Sequence, residues 1–558
     1  MSRGGTTTLV AAALALVWIQ TAAAFDFVVT RVDDPAPDAC NPGDCSLREA
    51  VIAANALAGP DRVVLGAGVY GLSRPGAGED LSATGDLDVR DDLVIEGAGS
   101  ATTTIVMLAI LDRVIDANAP GIALEIDGVR LAGGFASSGD GGGLLADTGA
   151  DAGSIALHDV VLSGNIASSG GGASLRAPHA SLVDVRAEDD SADATAGGLR
   201  VTVLAGPSDR SLAMQNVAAS RNSAATVGGL DVQTDVVSST PLAARVEDNE
   251  ALEGGCGGLR VGAGASLAPM EVSLAVQAIG NRSNPGAFDG GGGVCVAGCG
   301  GAPVDGIAVT LVDSTIEGNL AFQSFGGGVI ARATETCQPA SLRILRSTIR
   351  DNTATHGGGL YADGAIVTVD RSTFSKNSAG VRGGQIEALD TNLALRRSTI
   401  VAPSTDAPGS AIYADGVGGG KSWSLENSLV GGTCAGDLAL APASSIESPG
   451  DTCGLDQGGF AASNLVSQPS LGLGPLADNG GPTLTYLPQP GSVAIANPAS
   501  GACAGVADQR GYVGVAPCDR GAVDSDAPEP GAAIGALAAL AAIALLNART
   551  GRGASRGC

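Results

Sequence analysis

Ile349-Arg350-Asp351-Asn352-Thr353-Ala354-Thr355-His356-Gly357-Gly358-Gly359 is the stretch that decides the fold. It reads as an apolar residue, two spacers, Asn, a spacer, a small residue, and then a cluster of glycines. The same order recurs at Leu162–Asn165–Ala167, Ile316–Asn319–Ala321 and Phe374–Asn377–Ala379, each running into its own glycine cluster. Asn222, Asn249 and Asn281 head three more copies, and Asp190 replaces Asn in another. Glycine clusters begin at 141, 170, 197, 228, 257, 290, 326, 357 and 383, a spacing of 26 to 36 residues. A period of that length marks a stacked, quasi-one-dimensional fold.

Between the clusters lie short runs rich in β-branched and aliphatic residues, such as 306–311, 341–345 and 365–369, bounded by glycine or polar turns. No helix-length amphipathic window recurs at the period, so the expected architecture is an all-β solenoid of some thirteen coils. At ~4.8 Å per coil that is a rod on the order of 60 Å. A single coil does not bury enough to stand alone, which is why the copies are contiguous. Asn165, Asn222, Asn249, Asn281, Asn319, Asn352 and Asn377 are expected to form a structural turn ladder rather than a ligand array. Asn tolerates left-handed backbone, and its amide can bond along a stack of like turns.

This pattern resembles the repeats of chlamydial polymorphic outer membrane proteins and of bacterial right-handed parallel β-helix proteins generally, over about 140–430. The resemblance implies a pectate-lyase-like right-handed parallel β-helix and says little about activity.

The ends carry further signals. Residues 1–24 read as a secretory signal peptide: Arg3, an apolar 9–19, and Ala22-x-Ala24 before Phe25. Residues 25–60 form an expected N-terminal cap. Ser46-Leu47-Arg48-Glu49 is a capping box, Leu47, Val51, Ala54 and Leu57 or Ala58 line one apolar face, and Gly59-Pro60 ends the helix. Cys45-Ser46-Leu47-Arg48-Glu49-Ala50 resembles the signature of the CSLREA domain, which follows a signal peptide and precedes β-helix repeats. Val63–Leu65 and Leu93–Gly97 then read as the first strands of a solenoid over 61–464.

Residues 465–524 contain Gly474-Pro475-Leu476-Ala477-Asp478-Asn479-Gly480-Gly481-Pro482-Thr483, Asp508-Gln509-Arg510-Gly511 and Cys518-Asp519-Arg520-Gly521-Ala522-Val523. They resemble the choice-of-anchor Q domain of surface proteins. Residues 525–558 hold Pro528-Glu529-Pro530, an uncharged apolar 531–546, and Arg549, Arg552 and Arg556. That ending resembles a PEP-CTERM sorting signal, which implies a membrane protease as partner. Read without the resemblance it is a transmembrane anchor. No run of alternating strands suggests an autotransporter barrel.

Eleven cysteines in an exported chain point to disulfides. The candidates close in sequence are Cys40/Cys45, Cys295/Cys299, Cys434/Cys453 and Cys503/Cys518, with Cys256 and Cys337 free to pair with each other or with the Cys295/Cys299 set. Cys295-x-x-x-Cys299 lacks the second Cys or His pair that a zinc site needs.

The chemistry-bearing residues are sparse. Enzymes of this fold include pectate lyases, polygalacturonases and alginate epimerases, and none of their motifs surrounds the three histidines. His158 is expected to start a strand beside Asp159, His179 to lie in a loop, and His356 to be a turn residue. Asp33-Asp34, Asp91-Asp92 and Asp189-Asp190 read as solvated turns. Fifteen aromatics in 558 residues leave few platforms for sugars. A net charge of −27 with two lysines speaks against nucleic acid. No cofactor is expected beyond weak surface Ca²⁺ at glycine-flanked Asp140, Asp289 and Asp363.

The expectation is therefore a non-enzymatic, secreted, surface-sorted protein with a structural, adhesive or matrix role and an extracellular glycan or matrix component as partner. The alternative is a polysaccharide-active β-helix enzyme without recognisable motifs. Any binding function is expected in the less regular loops 201–211, 261–271 and 402–410.

Overall fold

The computed structural model describes residues 24–525 apart from 109–111, 150–151, 204–208, 235, 239, 264–269, 287, 298–306, 334–339, 404–407, 417–420, 438–439, 457–462, 496–504 and 515–517. The expected signal peptide (all but its last residue), the sorting tail beyond Ser525, the middles of the three loops named above, and Cys299, Cys337 and Cys503 lie outside the described residues.

The chain is a parallel β-helix. One coil illustrates the rest. Ser341–Leu345 and Thr348–Arg350 lie in one long sheet, Thr353–His356 in a second and Leu360–Asp363 in a third, before Ile366–Asp370 begins the next coil. Among the described residues these sheets hold 25, 9 and 13 strands, the long sheet taking two strands from most coils. Pairing between coils is parallel and in register, as in Leu360↔Ile386 and Thr348↔Thr373. Thirteen strands in the third sheet agree with the coil number read from the repeat. Leu342, Ile344, Ile349, Leu360 and Ala362 of this coil point inward and are buried, so each coil closes over apolar area that its neighbours also cover.

The repeat residues divide the work at two corners. The left-handed residue is not the Asn, as its turn propensity suggested, but the one before it: Arg221, Asp248, Gly280, Gly318, Asp351 and Lys376 have φ between 53° and 66°. That leaves the Asn side chain buried and aimed along the stack. Asn319 Nδ2 donates to Asn352 Oδ1 at 2.9 Å and to the Ala278 carbonyl at 2.9 Å, while its own N–H donates to Asn352 Oδ1 at 2.9 Å. The same three bonds recur from rung to rung along Asn222, Asn249, Asn281, Asn319 and Asn352. The small residue two positions on, such as Ala167, Ala224, Ala251 and Ala321, is buried at the corner.

The glycines answer to the asparagines. A Cβ on Gly198, Gly229, Gly328 or Gly359 would lie 2.8 to 2.9 Å from the Nδ2 of Asn222, Asn249, Asn352 or Asn377. The last glycine of each cluster is thus the space that the next amide fills. Where the ladder ends, the requirement ends too. Gln385 occupies that position after Gly383 and Gly384, and its Oε1 accepts from Asn377 Nδ2 at 2.7 Å.

A second ladder was not read from the sequence. Ser314, Ser347, Ser372, Ser398, Ser428 and Ser445 form a buried column in which each N–H donates to the next hydroxyl at 3.0 to 3.3 Å, ending on Asn464. Its signal is the recurring Ser-Thr-apolar at 314–316, 347–349, 372–374 and 398–400, always after a left-handed residue.

The N-terminal helix is Leu47–Asn55 and has both halves of its capping box. It ends before Gly59-Pro60, with Ala56 as C-cap, and Leu57 is 46% exposed rather than part of the apolar face. Asp26–Val28 is an earlier strand than the sequence showed, pairing with Asp61–Val64, which pairs in turn with Leu93–Glu96. Arg48 is 0% exposed and binds Asp34, and also donates to the carbonyls of Ser82, Gly85 and Asp86. Asp34 is therefore no solvated turn residue: its carboxylate neutralises a buried guanidinium.

The described residues of 471–525 lie along the side of the last coils. Gln509 is buried there; its Nε2 donates to the Ser347 carbonyl and to Thr348 Oγ1, and its Oε1 accepts from Thr373 Oγ1. Ala522 N–H donates to Thr399 Oγ1, and Tyr486 meets Ser375. The outward threonine column of the long sheet is thus covered by the chain's own C-terminal segment.

Cys40 bonds to Cys45 and Cys434 to Cys453. Cys295 bonds to Cys256, not to Cys299. In a parallel stack the residues of neighbouring coils at one corner are the near ones, here with Cα atoms 6.0 Å apart despite 39 residues of sequence. Cys518 is disulfide-bonded as well.

Candidate functional site

Where the second sheet meets the third, the chain turns through a left-handed glycine such as Gly326, Gly357 or Gly383. Side chains just before and just after that turn share one outer corner. Before it, Phe325, His356 and Arg382 stand in register on successive coils. After it, Ile330, Tyr361, Glu387 and Tyr413 do the same. This corner gathers a larger share of aromatic and ionisable groups than the repeat predicts.

Glu387 is its centre. The carboxylate is 0% exposed, accepting from Arg382 Nε at 2.6 Å and facing His356 Nδ1 at 3.2 Å. The Arg382 guanidinium lies 4.5 Å from the centre of the Tyr413 ring. His356 stacks on Phe325 at 5.4 Å, and Phe325 leans on Tyr361 at 4.7 Å. Arg332 pairs with Asp363 at 3.2 Å on the rim. Burial pushes the Tyr361 hydroxyl above its ordinary value, and Asp363 adds to that.

One arginine thus pairs with a buried anion, and Glu387 holds the His356 imidazole by Nδ1, leaving Nε2 on a side chain that is 22% exposed. A base oriented by a buried carboxylate, beside a tyrosine and two arginines, is a geometry that acid–base chemistry can use. It is also a satisfied outer stack on its own terms. His356 is therefore the last residue of a strand with a buried acidic partner, not an isolated turn residue. Sequence reasoning missed Glu387, Arg382, Tyr361 and Tyr413. The signal was the residue one step beyond the first inward residue of each third-sheet strand, a column that reads Ile330, Tyr361, Glu387, Tyr413.

Of the other expected residues, Asp363 stands on the rim of this corner, and His158, His179 and Asp140 lie away from it. His158 lies within Ser154–Ser163 rather than at a strand start, and contacts Asp127 at 2.8 Å, which raises its pKa. His179 begins the strand His179–Val183 instead of lying in a loop. Asp140 faces Arg200 at 3.5 Å and Asp363 faces Arg332. Among the described residues no cluster of three or more His, Cys, Asp and Glu is placed to hold a metal ion, and no helix is long and apolar enough to cross a membrane.

Over 74% of this chain and 96% of the other, the fold is similar to that of the mannuronan C-5 epimerase AlgE6 A-module of Azotobacter vinelandii, at 16% identity and a TM-score of 0.33. No family model matches the chain, and no curated protein matches it.

Proposed function

We propose that this is an exported, surface-sorted bacterial β-helix protein with a non-enzymatic structural, adhesive or extracellular-matrix role. The observation that supports it is the self-saturation of the stack. The Asn and Ser columns spend their donors and acceptors on one another, coil after coil, and many arginines pair with a carboxylate of a neighbouring coil, as Arg346 does with Asp313 and Arg260 with Asp231. Such a body resists unfolding and proteolysis by continuity. The CSLREA-like and choice-of-anchor Q-like signatures and the PEP-CTERM-like tail fit this reading, with a membrane protease as processing partner and a glycan or matrix component outside the cell.

Deleting residues 528–558 is expected to move the protein from the cell-associated fraction to the medium. Unchanged association on fractionation overturns the sorting claim. Incubation with a panel of polyuronates is expected to release no unsaturated or reducing sugar.

A second reading, action on an acidic polysaccharide, is favoured by the His356–Glu387 pair between Arg332 and Arg382. Under it the same panel gives activity, and His356→Ala reduces that activity by about 100-fold or more, while Asp189→Asn leaves it unchanged. Activity that survives His356→Ala would remove this corner from the chemistry.

A further inference from the structure

One rung of the buried ladder is chemically different from the others. Asp190 stands between Asn165 and Asn222 and is 1% exposed. The turn expected at Asp189-Asp190 is solvated only at Asp189, which pairs with Arg221 at 2.8 Å. Asp190 Oδ1 does what an Asn oxygen does elsewhere, accepting from the Asn165 N–H at 2.8 Å and from Asn165 Nδ2 at 3.0 Å. The Asp190 N–H donates to Asn222 Oδ1 at 2.9 Å, again as in the other rungs. Oδ2 is buried without a partner.

The position of Oδ2 is that of a donor. A Cβ on Gly172 would lie 2.6 Å from it, just as a Cβ on Gly143 or Gly198 would lie 2.9 or 2.8 Å from Nδ2 of Asn165 or Asn222. In every other rung Nδ2 gives its two hydrogens to the next rung's Oδ1 and to the carbonyl three residues before the preceding rung. For Asp190 that register supplies Asn222 Oδ1 and the Leu162 carbonyl, both acceptors. An ionised carboxylate there opposes lone pairs in a dry corner; a carboxylic acid donates its hydrogen to one of them.

We propose that Asp190 is carried in the folded ladder as the neutral acid, so that this rung is a proton-dependent joint in a ladder whose other rungs are uncharged amides. The groups around it do not supply a counter-charge. Glu188 and Asp189 on its own segment are both acidic, and Arg221 and Arg130 from the neighbouring coils are bound to those two at the surface. Asn165, Asn222 and Gly172, which pack against it, are uncharged. Burial is the main cause that lifts its pKa well above the ordinary carboxylate range, and Asp189 and Glu188 add to the lift.

The sign follows from linkage. An acid whose folded pKa is raised stabilises fold most below the unfolded value of about 3.9, and that contribution is lost as pH rises through the folded pKa. Ionisation removes one proton from Oδ2 to solvent and leaves the rung without its donor. Asp190→Asn restores the donor permanently.

The test compares urea midpoints of the full chain and its Asp190→Asn variant from about pH 4 to about pH 9. Asp86, pushed up to about 8 by burial and by Asp112, titrates in both proteins, so the readout is the difference between them. The variant is expected to gain on the wild type steadily as pH rises, with hydrogen exchange at the Asn165 and Asp190 amides slowed in step. Asp189→Asn serves as control and is expected to show no such widening gap. A difference between wild type and Asp190→Asn that is independent of pH, with a ratio of protection factors at the rung that is equally pH-independent, overturns the proposal.

Discussion

Gly328→Ala is expected to lower the unfolding free energy by about 3 kcal/mol or more, at the upper end of what overpacking costs. The added Cβ would lie 2.6 Å from the Gly359 carbonyl oxygen and 2.9 Å from Asn352 Nδ2. Neither atom can swing aside. One is backbone of the adjacent coil and the other is held by two bonds in the ladder, so the coils themselves must part. Gly318→Ala makes the contrast. Gly318 has φ +66° and nothing within 4 Å of the added methyl, so only left-handed strain is introduced, about 1 kcal/mol. Urea unfolding of the two variants should place Gly328→Ala well below Gly318→Ala. Equal midpoints would mean that the coils accommodate the added Cβ without parting.

Arg48→Met is expected to destabilise the N-terminal cap by about 3–5 kcal/mol, the loss seen when one member of a buried ion pair is removed. The Arg48 and Asp34 side chains are 0% and 2% exposed and 2.7 Å apart. Without the guanidinium, the Asp34 carboxylate keeps only the N–H groups of Ser73 and Arg74 and no counter-charge, and the carbonyls of Ser82, Gly85 and Asp86 lose the donors of Arg48. The double variant Arg48→Met, Asp34→Leu should recover part of the loss, because no buried charge then remains. Thermal unfolding followed by circular dichroism checks both. A single variant as stable as wild type would show that the cap is held by its apolar face of Leu47, Val51 and Ala54 alone.

These two variants mark different depths of legibility. The Asn, the small residue and the glycine cluster could be read because each answers to a local backbone demand repeated every coil: a tight corner, a left-handed residue, a close approach. The capping box was legible for the same reason, since Ser46 and Glu49 satisfy donors within one helical turn. Arg48 reads as an exposed helix residue until the chain brings Asp34 and the turn at 82–86 over it.

Side chains that meet across coils escape a linear reading altogether. His356 and Glu387 are 31 residues apart in the chain, and no local rule couples them. Cys256 and Cys295 follow the same logic, as does Gln509, which reaches Ser347 across 162 residues.

The sequence by itself determined the stacked architecture, its strand period and its buried Asn column, because those rest on backbone geometry that few residue types can adopt. The tertiary structure alone decided what each rung touches. Register between coils selects which side chains share a corner, and burial then sets their chemistry. In that way one aspartate becomes a neutral rung, another the counter-ion of a buried arginine, and a histidine before a glycine cluster the partner of a buried glutamate.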